Sequence, residues 1–93
     1  MEIKASILIV DDEPDLVANL KLALESGGYH VLGAGDGLQA LNVLQVHPID
    51  LILADIAMPH MNGYQLYQQV RENSRWGAIP FIFLTARDRK SVV

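Results

Sequence analysis

Three aspartates and a threonine stand at the ends of apolar runs, where their chemistry can be combined. Asp11 and Asp12 directly follow Ile7-Leu8-Ile9-Val10, Asp55 follows Leu51-Ile52-Leu53-Ala54, and Thr85 follows Phe81-Ile82-Phe83-Leu84. Carboxylates gathered at one edge repel one another until a cation or shared protons relieve the repulsion. A hard divalent ion is the natural relief. Magnesium takes oxygen ligands in a near-ideal octahedron and keeps several waters, so two carboxylates, one backbone carbonyl and water make a sufficient site. Asp12 and Asp55 are the candidate carboxylates. A carboxylate is also a nucleophile toward phosphorus, giving an acyl phosphate that splits transfer into two steps. An anionic donor approaching Asp55 then needs its charge neutralised and donors near its equatorial oxygens, for which the Thr85 hydroxyl and the Ala86 backbone N–H are candidates.

A single Asp after a strand most often forms a turn or caps a helix. Capping accounts for Asp12 ahead of Pro14, but not for a second acid at Asp11, nor for Asp55 ahead of a loop containing Pro59 and Gly63.

The elements that must position these groups are legible in the hydropathy pattern. The runs at residues 7–10, 51–54 and 81–84 are apolar without alternation, and His30-Val31-Leu32 is a shorter run. Continuous runs of this length suit strands buried on both faces, as in a parallel sheet covered by helices. Between them lie three stretches with helical spacing. Pro14 opens the first, where Val17, Leu20 and Leu24 share a face until Gly27-Gly28 stops it. The second carries Leu38, Leu41, Val43 and Leu44 and ends at Val46 before His47-Pro48; the third carries Leu66, Tyr67 and Val70 after an Asn62 cap. Strands alternating with helices predict right-handed crossovers and an open, doubly wound α/β sheet. Ligands of such sheets bind beyond the carboxyl ends of the strands, which is where Asp11, Asp12, Asp55 and Thr85 fall.

At 93 residues, 51% hydrophobic and 19% charged, the chain has room for one domain with a dense core, and its composition argues against disorder. A net charge of -4, with no basic cluster longer than residues 87–90, argues against direct nucleic-acid binding. No apolar run approaches the roughly 20 residues of a membrane span, and no signal-peptide pattern opens the chain, so a cytoplasmic location is expected.

Other features carry less. Gly33-Ala34-Gly35-Asp36-Gly37 is spaced GxGxG after the second run, not GxGxxG after the first, and reads as a flexible turn capping the second helix. His30, His47 and His60 lack metal-ligand spacing, although His60, five residues past Asp55 in a loop beside the pocket, is a candidate for a minor role in access. Trp76 is expected to pack a loop, and Met58 and Met61 to anchor one.

Taken together, Ile7-Leu8-Ile9-Val10-Asp11-Asp12-Glu13-Pro14, Asp55-Ile56-Ala57-Met58-Pro59-His60-Met61-Asn62-Gly63 and Pro80-Phe81-Ile82-Phe83-Leu84-Thr85-Ala86 closely resemble the receiver domains of two-component signalling. The resemblance runs from Ser6 onward. It implies a flavodoxin-like sheet and a phosphoryl group donated by a histidine kinase or phosphotransfer protein. By resemblance, Asp55 is the phosphoacceptor, Asp12 a direct Mg2+ ligand, Asp11 a ligand through water, Ala57 a backbone-carbonyl ligand, and Thr85 the switch hydroxyl. Such a domain is not an enzyme with a separate substrate; it catalyses only its own phosphoryl transfer and dephosphorylation. The family pattern continues with a fifth strand, a fifth helix and a Lys roughly twenty residues past the Thr. None of these lies within residues 1–93, and Arg87 and Lys90 stand too close to Thr85 to replace that Lys. The expectation is a receiver domain over residues 1–93, C-terminally incomplete, with strand order 2-1-3-4 and self-association through an uncovered fourth-strand edge or by exchange of residues 87–93.

Two other readings are open. A phosphohydrolase of the haloacid-dehalogenase type would carry Asp-x-Asp after its first strand, whereas here the acids are adjacent and Asp55 stands on another strand. A phosphorylation-independent interaction module would keep the fold without the switch, which the set Asp11, Asp12, Asp55 and Thr85 disfavours and the missing Lys favours.

Overall fold

The computed structural model describes residues 4–84. Strand β1 (Ser6–Val10) leads into α1 (Pro14–Ser26), β2 (His30–Ala34), α2 (Gly37–Val46), β3 (Leu51–Asp55), α3 (Gly63–Glu72) and β4 (Phe81–Leu84). The strands form one parallel sheet in the order β2-β1-β3-β4, the flavodoxin-like order expected for these four strands. Thr85, Ala86 and residues 87–93 lie outside the described residues, and with them the expectations about the far edge of β4.

The pleat divides each apolar run between two layers, because successive side chains on a strand point to opposite faces. From β1, Leu8 and Val10 join Ile52, Ala54, Leu66 and Val70 in a core under α2 and α3. Ile7 and Ile9 join Val31 on the other face, where Val17, Leu20 and Leu24 of α1 pack. Each fully buried aliphatic side chain, such as Leu8, Ile9 or Ile52, stabilises the fold by about 1.5–3 kcal/mol. At β4 the two-sided burial expected of its run is incomplete. Ile82 is half exposed, while α1 packs mainly on β2 and β1.

The helices begin where the polar signals place them. Asn62 and Gln65 form a capping box at α3, each side chain accepting the other's backbone N–H at 2.9 Å. That arrangement satisfies two of the donors a helix N-terminus leaves unpaired. At α2 the Asp36 carboxylate accepts the Gln39 N–H at 2.9 Å, while the Gln39 side chain accepts the Gly35 N–H. Here the reading of Gly33-Ala34-Gly35-Asp36-Gly37 as one turn is corrected. Gly33 and Ala34 complete β2, Gly37 opens α2, and only Gly35 and Asp36 turn. Gly33 belongs in the strand because α1 crosses it closely: a Cβ there would stand 2.8 Å from Val17 Cγ1.

The loop between α3 and β4 is tied by Arg71, whose Nη1 donates to the carbonyls of Gly77 at 3.0 Å and Ile79 at 2.8 Å while the guanidinium lies over the Tyr67 ring. Trp76 is buried in the larger core, as expected of a loop-packing residue, and Met61 is buried in that core too.

Candidate functional site

Register alone brings the first two acids together. Val10 pairs with Ala54 across β1 and β3, so Asp11 and Asp55 occupy the next positions at the carboxyl edge of adjacent strands. Asp11 still belongs to the sheet through its backbone N–H, which donates to Ala34 at 3.0 Å. Its side chain bridges into the following turn, where Oδ1 accepts the Glu13 N–H at 2.8 Å. Asp55 is fixed in the same way, with Oδ1 accepting the Ile56 N–H at 2.8 Å. Asp11 is 2% exposed and Asp55 1%, whereas Asp12 is exposed at the rim.

One carboxylate oxygen from each of Asp11, Asp12 and Asp55 lies within 4.8 Å of the others. Two unit charges that close repel by roughly 3–4 kcal/mol at the effective dielectric of a protein surface. Folding tolerates three such groups when a cation accompanies them. The donor set is made of hard oxygens, so magnesium fits it in kind, and calcium or manganese less selectively.

Ala57 lies two residues past Asp55, exposed in the loop between β3 and α3. That loop is closed at its base, where the Gly63 N–H donates to the Ile56 carbonyl at 2.8 Å. A side chain at residue 63 would collide with the Asp55 carbonyl, which accounts for glycine there. Thr85 comes directly after Leu84, the register partner of Asp55, and itself lies outside the described residues.

Beside the acids a groove of about 530 Å³ runs along the first half of α1, past Pro14, Val17 and Lys21, to Gly33 and Gln39 on the opposite wall. It is open and mostly apolar, with Asp11 and Asp12 at one end.

One contact at the site has no counterpart in the sequence reading. His60, singled out only for access, places Nδ1 at 3.0 Å from Asp36 Oδ2. The backbone N–H of Gln39 and then the His60 ring hold the Asp36 carboxyl below its ordinary value of 3.8. No local spacing signals a contact between residues 24 apart; only the juxtaposition of two loops at the same sheet edge makes it. Among the described residues no helix is long and apolar enough to cross a membrane.

Comparison with known proteins agrees with this geometry. A family model described as the response regulator receiver domain matches residues 7–93. Response regulator GtcR of Aneurinibacillus migulanus is 42% identical over 86 residues, which is 92% of this chain and 34% of GtcR. Protein PilH of Pseudomonas aeruginosa is 37% identical over 87 residues, 94% of this chain and 72% of PilH. This chain thus spans about a third of GtcR and most of PilH. Among solved structures, the signal receiver domain of a signal transduction histidine kinase from Syntrophus aciditrophicus superposes with a TM-score of 0.84 at 36% identity, covering 92% of this chain and 68% of that one. The N-terminal domain of a response regulator receiver protein from Methanoculleus marisnigri gives 0.83 at 31%, covering 95% and 76%.

Proposed function

This chain belongs to the response regulator receiver domain family, and on that premise we propose that Asp55 accepts a phosphoryl group from a histidine kinase or phosphotransfer protein. The observation that carries the reading is the meeting of Asp11, Asp12 and Asp55 within 4.8 Å at the carboxyl edge of adjacent strands.

The roles divide by position. Asp55 is the nucleophile: one carboxylate oxygen bonds to phosphorus as the bond from phosphorus to the donor's imidazole nitrogen breaks, and the electron pair of that bond leaves with the nitrogen. Its hydrogen bond from the Ile56 N–H fixes the other oxygen, Oδ1, and so aims the carboxylate. Asp12 and Asp55 would hold Mg2+ directly, Asp11 would act through water, and Ala57 would offer its carbonyl. Bound magnesium supplies neutralisation of the charge that three carboxylates and the phosphoryl oxygens would otherwise accumulate. Asp11, held between the sheet and the turn into α1, keeps that anionic edge in place. Thr85 supplies the hydroxyl that answers the phosphoryl oxygens, and the domain has no separate substrate.

Phosphorylation then shifts a two-state equilibrium through new contacts to the phosphoryl oxygens. The reading places the chain in the cytoplasm with protein partners; a net charge of -4 supports a protein over a nucleic-acid partner. The test is mass spectrometry after treatment with acetyl phosphate and magnesium. One added phosphoryl group, absent in Asp55→Asn, is expected; strong labelling of that variant would move the nucleophile elsewhere.

A further inference from the structure

The loop between β3 and α3 is gripped at its crest as well as at its base. The Met61 N–H donates to the Pro59 carbonyl at 2.6 Å across His60, whose φ of 67° is left-handed. A γ-turn with its central residue in that region is strained and persists where the surroundings hold it. Among the described residues His60 is the one non-glycine residue with positive φ. The hold comes from the head of α2. His60 Nδ1 is 3.0 Å from Asp36 Oδ2, and next to it Met61 packs over Gly37, where a Cβ would meet Met61 Cγ at 2.7 Å. Asp36 is itself fixed, since its Oδ1 accepts the Gln39 N–H and its side chain is only 10% exposed.

We infer that His60 and Asp36 are a positioning pair for the loop that carries Ala57, gripping hardest when His60 is protonated. The inference rests on the reading of Asp11, Asp12, Asp55 and the Ala57 carbonyl as the magnesium site. With the ring protonated, both nitrogens donate and the contact to Asp36 is a charge-assisted bond. With the ring neutral, it survives only as an ordinary hydrogen bond from one tautomer. The grip therefore loosens when the ring loses its proton. The titratable group in contact with the ring is Asp36 at the start of α2; Tyr64 and Glu72 line the same open groove along α3. The His60 side chain is 65% exposed, which limits the effect to about two- to fivefold, the scale of a solvent-screened pair.

The experiment is a double-variant cycle read two ways at pH near 6 and near 8: amide hydrogen exchange of residues 57–61, and magnesium affinity. His60→Asn keeps a side chain that tolerates left-handed backbone, and Asp36→Asn keeps the helix cap, so both variants are expected to fold. At the lower pH each single variant should speed loop exchange and weaken magnesium binding by about two- to fivefold, with the double variant no worse than the weaker single. At the higher pH that coupling should shrink. Additive effects, or equal coupling at both pH values, would overturn the inference. Coupled exchange with uncoupled magnesium affinity would also overturn it, because the pair would then hold the loop without positioning the metal. A wild-type chain that binds no magnesium defeats the reading of the acids instead, and the exchange arm still decides whether the pair holds the loop.

Discussion

The main-chain carbonyl of Asp55 occupies the space that a Cβ on Gly63 would need. The end of β3 and the first residue of α3 therefore meet backbone to backbone, and the loop between them can be short and fixed.

Gly63→Ala should destabilise the protein. Alanine at a helix position gains up to about 1 kcal/mol over glycine, but forcing an atom against a backbone carbonyl costs about 1–3 kcal/mol, and backbone cannot swing aside as a side chain can. The expected result is a lower urea midpoint together with weaker magnesium binding. A midpoint at or above that of the wild type would show that the strand end relaxes freely.

Magnesium should raise the melting temperature, since a ligand that binds only the folded state adds about 2.7 kcal/mol when present at a hundredfold excess over Kd. Asp12→Asn should abolish most of that gain while leaving the metal-free protein as stable or more so, because one repulsive charge has been removed from the cluster. Calorimetry with and without magnesium reads both effects, and an equal magnesium response in the variant would remove Asp12 from the site.

The acid limb of the stability curve should report Asp36. Its carboxyl is held below 3.8, chiefly by the Gln39 N–H and next by His60. A depressed value means that the folded state favours the charged form. The stabilisation is therefore complete above the unfolded value and is lost as pH falls through the lower, folded one. Asp36→Asn keeps an N-cap but cannot titrate, so its stability should fall less steeply between about pH 4 and pH 2. Identical slopes in urea titrations would show that the carboxylate gains nothing from its partners.

Arg71→Ala should cost about 1–3 kcal/mol, because the carbonyls of Gly77 and Ile79 lose a charged donor and Tyr67 loses the cation over its ring. Denaturant unfolding measures the loss. The acid cluster lies at the opposite end of the sheet, so phosphoryl labelling of the folded variant should be unchanged.

The strands and helices were legible where hydropathy and caps agreed. The runs at residues 7–10, 51–54 and 81–84 became strands, and Pro14 and Asn62 stand at the helix starts expected of them. Asp11, Asp12 and Asp55 were legible as a group because each lies at or just past the end of a strand, and parallel strands carry their C-terminal residues to one shared edge. Gly33 misled, since glycine after an apolar run signals a turn, while here it makes room for Val17. His60 and Asp36 could not be paired from sequence, because neither has a spacing signature and their contact depends on how two loops pack. Ile82 belonged to a run expected to be buried on both faces, but a strand's composition does not say whether a helix covers a given face, and Ile82 is half exposed.

The placement of β1 inside the sheet also bears on how the chain emerges from the ribosome. Its partner in β3 begins forty-four residues later, with Ile7 paired to Leu51. At a synthesis rate of about 5–20 residues per second, one side of β1 stays open for roughly 2–9 seconds, with β2 alone available to pair. During that interval the nascent chain presents a bare apolar strand edge, the kind of surface that chaperones shield. Asp55 is made at the end of the very strand that closes this edge. The acid cluster is therefore completed in the same event that seals the centre of the sheet, before α3 and β4 have been made.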